Sequence, residues 1–257
     1  MLSKNKQKYI RQFSLKKHRD GEMRFVAEGP KVVEELAAAF PCRLLCATAP
    51  FLASHDIAAQ EVIEVNEQEL TAASNLKTPQ QVLAILEKPD AHAPTLLKTA
   101  AESAGSELVL ALDGIQDPGN MGTILRLADW FGIRRVVCSP DTADAFSPKV
   151  VQATMGALAR VSIAYTDLPS WLTTLPKDCP VYGTHLDGSD IYAQALTPHG
   201  VIIMGNEGKG ISAAVSERVT HRLRIPSFPP GEPTSESLNV ATATAIVCAE
   251  FRRRMQQ

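Results

Sequence analysis

The sequence predicts an α/β protein in two parts, the second built on a parallel sheet. Continuous apolar runs such as LVLAL (108–112) and VIIM (201–204) alternate with segments of helical period. Strands that are apolar on both faces belong in parallel sheets covered on both sides. A stretch rich in Ala, Pro and Ser, KPDAHAPTLLKTAAESAGS (88–106), separates two patterned regions. Hydrophobic residues make up 45% and charged residues 21% of the 257, a globular profile of one large or two ordinary domains. The expected divisions are 1–90, a linker at 91–106, and 107–257.

In the first region Gly29-Pro30 opens a helix that runs to about Phe40, with Pro30 at a tolerated first-turn position. Val32, Val33, Leu36 and Phe40 form its apolar stripe. Strands are expected at 43–47, 62–65 and 82–86, which makes a small α/β domain. The second region predicts strands at 108–112, 135–138, 160–163, 181–183, 201–204 and 222–225. Its helices are expected at 121–131, 148–154, 168–175, 212–217 and 240–253. Ligands of such sheets bind beyond the carboxyl ends of the strands, so the chemistry belongs in the loops that follow them.

No apolar run approaches the roughly 20 residues that span a bilayer, and no apolar segment follows the N-terminal charges as a secretory signal requires. A cytoplasmic location without membrane contact is the expectation. The five cysteines form no CxxC pair and the six histidines are scattered, so no metal site is expected and the cysteines read as small buried apolar residues. The net charge of −2 hides an asymmetry. Lys4, Lys6, Lys8, Arg11, Lys16, Lys17, Arg19 and Arg24 face only Asp20 and Glu22 in residues 1–24, a local charge of +6 that leaves −8 elsewhere. Such a basic arm fits a phosphate-contact surface, and equally a solvated terminal helix with no partner.

Three loops in the second region carry the chemical signal. In LDGIQDPGNMGTILRLADWFGI (112–133), a polar turn follows a strand and a helix is expected from Asn120 as N-cap. Arg126 then lies beside the apolar Ile124, Leu127 and Ala128, on a half-buried face or as an ordinary surface arginine. VIIMGNEGKGIS (201–212) places Gly205, Gly208 and Gly210 between a strand and a helix, where backbone can approach a ligand closely. It is neither a phosphate loop, since Gly210 follows Lys209, nor a GxGxxG turn. Glu207 would repel a phosphate, so a neutral or cationic ligand fits, a sulfonium among them; a ligand-free turn is the alternative. In RIPSFPPGEPTSESLNVATATAIVCAEFRRR (224–254), a proline-rich loop leads to Ser237-Leu238-Asn239 and a helix that starts with small residues.

Together and in this order, Asn120-x-Gly122-x-x-x-Arg126, Met204-Gly205-Asn206-Glu207-Gly208, and Ile225-Pro226 followed by Ser237-Leu238-Asn239-Val240-Ala241 closely resemble the SpoU (TrmH-like) branch of the SPOUT RNA methyltransferases. The likeness spans 107–257. Residues 1–90 look like the substrate-binding domain often fused to it, of ribosomal-protein L30e-like fold. The resemblance implies a deep C-terminal trefoil knot, an exception to ordinary chain topology. It also implies S-adenosylmethionine (S-adenosyl-L-methionine) bound by Gly205, Ile225 and Leu238, with Met204, Thr184, Gly208 and Ser237 beside it. It further implies a homodimer in which Arg126 completes the partner's site, and methylation of a ribose 2′-hydroxyl on structured RNA, ribosomal rather than transfer RNA being favoured. The spacing from Ile225 to Leu238 is longer than the family's, through Phe-Pro-Pro-Gly-Glu-Pro-Thr.

The catalytic set implied is Arg126, Asn120, Glu207, Ser237 and Asn239. Asn120 and Glu207 would hold Arg126 and the ribose, and Ser237 and Asn239 would line the site near the methyl. An arginine with a pKa above about 12 releases its proton at high cost, so a charged Arg126 that stabilises the forming alkoxide is the easier role. Alternatives are an RNA-binding module without transferase activity, a base methylase, and an NAD-type enzyme, which lacks both its glycine motif and the acidic ribose anchor.

Overall fold

The computed structural model describes residues 2–229, 232 and 234–255. Pro230, Gly231 and Pro233 of the proline-rich loop lie outside them. By contacts the chain divides into two compact units, residues 1–90 with 144–160, and 91–143 with 161–257.

The first unit carries helices α1 (Lys4–Gln12), α2 (Lys16–Glu22), α3 (Pro30–Ala37), α4 (Ala49–Ser54) and α5 (Glu67–Ala73) on strands β1 (Arg24–Glu28), β2 (Cys42–Ala47), β3 (Val62–Glu64) and β4 (Val82–Glu87). The sheet order is β1-β4-β2-β3, with β4 antiparallel to β1 and β2, and β3 parallel to β2. Val32, Val33 and Leu36 bury one stripe of α3, as their spacing predicts. Strand β1 was not predicted: charged Arg24 and Glu28 bracket an apolar run of only three residues, Phe25 to Ala27.

The second unit begins with α6 (Pro94–Ser103), β5 (Leu108–Asp113), α7 (Pro118–Trp130) and β6 (Arg135–Cys138). The expected linker at 91–106 is therefore largely helix. Ala100, Ala101 and Ala104 pack into the sheet core with Val109, Ala111, Val201 and Ile203, and the small side chains that suggested a linker are what permit the close packing. The chain then crosses to the first unit for α8 (Pro148–Thr154), which packs on β1. Asp144 meets the Arg19 guanidinium at 2.6 Å and the Phe146 ring lies 5.1 Å from that of Phe25. Sequence reading had left this segment in the second domain.

Back in the second unit follow β7 (Ser162–Tyr165), α9 (Leu168–Leu172), β8 (Val181–Asp190), β9 (Gly200–Gly205), α10 (Ala213–Ser216), β10 (His221–Arg224) and α11 (Val240–Arg254). Among the described residues the sheet has six strands in the order β10-β8-β9-β5-β6-β7, all parallel. Every residue of β5 and β9 is buried, which confirms the two-sided cover that the apolar runs predicted. Helices α7 and α11 pack together and run parallel. Arg252 of α11 donates to the carbonyls of Phe131 (2.6 Å) and Gly132 (3.2 Å) just past the end of α7, satisfying acceptors that a helix end leaves open.

Four of the cysteines, Cys42, Cys46, Cys138 and Cys248, are buried, as read. Among the described residues no helix is long and apolar enough to cross a membrane.

Glu28 ends β1 at 4% exposure. It accepts from the Ser74 hydroxyl and from the Asn75 amide at 3.0 Å. Burial outweighs these bonds and raises its pKa above the ordinary carboxylate value. The folded chain thus holds this proton more tightly than the unfolded chain, and the resulting stability is full below the glutamate range and lost as pH rises through the raised value. Thermal midpoints measured from pH 5 to pH 8 should fall less steeply for Glu28→Gln than for the parent chain; identical slopes would contradict this account.

Candidate active site

The glycine loop after β9 is shaped by its own hydrogen bonds. Asn206 donates to the Gly114 carbonyl at 2.7 Å, while its Oδ1 accepts from the amides of Gly208 (3.0 Å) and Lys209 (3.1 Å). The backbones of Asn206 and Gly210 exchange two further bonds of 2.9 and 2.8 Å. At the far end of the loop the buried Asp113 accepts from the Ser212 amide at 2.7 Å. The closed loop leaves no room at Gly205, where a Cβ would stand 2.4 Å from backbone atoms of Gly210 and Ile211. Gly208 differs: a Cβ there would meet nothing nearer than the Asn206 Oδ1 at 3.7 Å.

Beyond this loop, at the carboxyl end of the sheet, lies a cleft of about 740 Å³, within the usual range of roughly 300–1,000 Å³ for ligand sites. All seven residues assigned to cofactor binding line it: Thr184, Met204, Gly205, Gly208, Ile225, Ser237 and Leu238. The Thr184 hydroxyl donates to the Ile203 carbonyl at 3.3 Å. His185, Leu186 and Arg224 also line the cleft, and sequence reading missed them. Residues 184–188 leave the ladder between β8 and β10, whose register jumps from Gly183 opposite Arg222 to Ser189 opposite Leu223; a strand pattern three residues long could not show this.

Three sequence motifs meet at the rim. The Asn239 side-chain amide donates to Asn120 Oδ1 (3.0 Å) and Glu207 Oε1 (2.9 Å), and Asn120 also donates to Glu207 Oε1. Asn239 is at the same time the N-cap of α11, its Oδ1 accepting from the amides of Ala241 and Thr242. Asn120 is not a cap. Asp117 caps α7 with Pro118 in the first turn, and Asn120 donates its amide to Asp117 at 2.8 Å; the Asp-Pro pair, favourable at a helix start, was the signal overlooked. Glu207 Oε2 takes no hydrogen bond among the described residues.

Arg126 is not part of this cluster. It is exposed on α7 and makes no hydrogen bond or ion pair among the described residues. Six residues along a helix amount to about 600°, so Asn120 and Arg126 point some 120° apart. Within one chain, then, Asn120 and Glu207 do not hold Arg126 as expected. Trp130, one turn further on, is 83% exposed. Ser237 lines the cleft but is exposed. Among the described residues no group of three His, Cys, Asp or Glu side chains could hold a metal.

Residues 107–249 match the SpoU rRNA Methylase family. The chain belongs to that family. Residues 4–84 match the MRM3-like substrate binding domain. A Bacillus subtilis relative, the 23S rRNA (guanosine(2553)-2′-O)-methyltransferase RlmP, is 34% identical over 190 residues, 73% of this chain and 71% of that protein. Among solved structures, a TrmH-family protein from Porphyromonas gingivalis is 43% identical with a TM-score of 0.86, covering 99% of both chains. An AdoMet-bound rRNA methyltransferase from Sinorhizobium meliloti is 31% identical with a TM-score of 0.84, covering 99% of this chain and 97% of that one.

Two alanine substitutions separate the loop's demands. Gly205→Ala should destabilise the chain by about 1–3 kcal/mol, the usual range for overpacking. Gly208→Ala should change stability by no more than about 0.5 kcal/mol. Urea unfolding checks both, and similar losses for the two variants would contradict the geometry.

Proposed function

We propose that this chain transfers a methyl group from S-adenosylmethionine to a ribose 2′-hydroxyl of structured ribosomal RNA. The observation that carries the reading is the cleft itself: it joins the glycine loop, Ile225 and the Ser237-Leu238 segment in a SpoU-family chain. The AdoMet-bound relative and the 2′-O-methyltransferase relative support both the cofactor and the reaction.

The residues fit the donor. The fold would tolerate a side chain at Gly208, so the glycine keeps the cleft floor open. The lining mixes apolar Leu186, Met204, Ile225 and Leu238 with Glu207, Lys209 and Arg224, which suits a molecule with a flat base and charges of both signs. Thr184, Met204, Gly205, Gly208, Ile225, Ser237 and Leu238 would hold it. When bound, it supplies an electrophilic methyl on a sulfonium.

The chain's own groups orient the acceptor. Asn120 and Asn239 fix one oxygen of Glu207 and leave the other to accept from a ribose hydroxyl at the cleft rim. Arg126 acts on the active site of the partner in a homodimer. It faces away from its own cleft, with a free guanidinium beside the exposed Trp130. There it stays charged, grips the phosphate and stabilises the forming alkoxide as the hydroxyl proton passes to the free Glu207 oxygen of that site. The family's trefoil knot is inferred for the C-terminal segment of this chain from its membership alone. The bacterial ribosomal-RNA methyltransferase relative supports a cytoplasmic site of action.

Ribosomal RNA from cells lacking the protein, incubated with it and with tritiated donor, should gain label at a ribose; label on a base, or none, defeats the reading. Gly208→Ala should weaken donor binding in calorimetry at unchanged stability. A parent chain that does not bind the donor at high micromolar concentration would be an RNA-binding module instead. Arg126→Ala and Gly208→Trp, each inactive alone, should regain roughly a quarter of parental activity when refolded together, since about half of the dimers are then mixed and one of their two sites is intact. No recovery would place Arg126 outside the partner's site, and near-full activity of Arg126→Lys would exclude a two-pronged guanidinium contact.

A further inference from the structure

The eight cations of residues 1–24 fall into two groups. Lys6 pairs with Glu61 at 2.6 Å and Arg24 with Glu22 at 3.2 Å. Arg19 is 3% exposed and donates to the Phe13 and Ser14 carbonyls and to Asp144. The other five, Lys4, Lys8, Arg11, Lys16 and Lys17, are exposed, and their side chains make no hydrogen bond or ion pair among the described residues.

Their placement is ordered. Lys4, Lys8 and Arg11 stand at i, i+4 and i+7 of α1, within an arc of about 60°. The opposite side of α1 carries Ile10, which is fully buried. The two acids of the segment are engaged elsewhere. Glu22 accepts from Tyr9 (2.8 Å), Gln12 (2.8 Å) and Arg24, and Asp20 pairs with Lys88. Like charges one turn apart weaken a helix, and cations in the first turn of α2 oppose its dipole. Arg11, in the last turn of α1, is favoured by the helix dipole; local stability does not account for Lys4, Lys8, Lys16 and Lys17.

We propose that the outer face of α1 and the start of α2 form the surface on which this protein grips RNA phosphates, through Lys4, Lys8, Arg11, Lys16 and Lys17. The proposal rests on the RNA-methylating function argued above and assigns its substrate contact to one face of the first unit. A lipid surface is the poorer partner, because it needs an array of apolar side chains beside the basic ones; Ile10 of α1 is buried, and beside Lys16 and Lys17 the only apolar side chain exposed among the described residues is Leu15.

The test measures binding of the full-length protein to an unmodified transcript of large-subunit ribosomal RNA across a salt series. The triple variant Lys4→Gln/Lys8→Gln/Arg11→Gln should bind about tenfold or more weakly at about 0.1 M salt, with a log–log salt slope shallower by about 2–3. Donor affinity should stay at the parental value. A control of equal charge, Lys31→Gln/Lys77→Gln/Lys177→Gln, should keep the parental slope. A parental slope for the α1 variant, an equal change in the control, or lost binding to phosphatidylserine vesicles with RNA binding intact would each overturn the proposal. Should the triple variant not fold, Lys8→Gln and Arg11→Gln singly should each reduce the slope by about 0.7–0.9. A parent chain that binds the transcript in this way but never methylates RNA would refute the transferase reading and leave the surface standing.

Discussion

The side chain of Asn206 holds the second unit's working end together. It ties the glycine loop to the end of β5 through the Gly114 carbonyl and folds the loop on itself through the Gly208 and Lys209 amides. With the backbone pair between Asn206 and Gly210 and the Asp113–Ser212 bond, the loop takes its shape from the chain's own groups. Such preorganisation lowers the cost of ordering on binding. It also dictates glycine at position 205, where the return of the loop brings backbone against backbone.

Everything at the rim follows from where that loop places Glu207. Its Oε1 collects the Asn120 and Asn239 amides, from segments 87 and 32 residues away in the chain. Because Asn239 also caps α11, the same side chain starts the last helix and fastens it beside α7. Arg252 fastens the other end of the pair at the Phe131 and Gly132 carbonyls. Hydrogen bonds to a charged group are worth about 1.5–3 kcal/mol each, less where water competes. A rim of this kind orients groups more than it stabilises the fold, whose stability resides in the apolar sheet beneath.

The first unit uses charge differently. Arg19 is buried, and its pair with Asp144 secures the returning segment 144–160 to α2, while Phe146 meets Phe25 of β1. The cations left over are the exposed ones, on a chain whose overall charge of −2 conceals them. Exposed and unpaired on α1 and the start of α2, they give the first unit a basic face despite the net negative charge of the whole chain.

The sequence by itself determined the parallel sheet and the succession of its strands along the chain, and its resemblance to the family supplied seven of the residues that line the cleft. Those features depend on periodicity and on short runs such as VIIMGNEG, and neighbouring residues decide both. It also contained, unread, the Asp117-Pro118 start of α7, which is equally local. Tertiary structure alone decided that 91–106 is packed helix, that 144–160 joins the first unit, that Asn206 shapes the loop, and which five of eight cations stay free. Asn239 and Asn120 meet across 119 residues, and nothing in either neighbourhood names the other. A polar group's partner is whatever the packing of distant apolar faces brings within about 3 Å, and that is a property of the folded chain rather than of any segment of it.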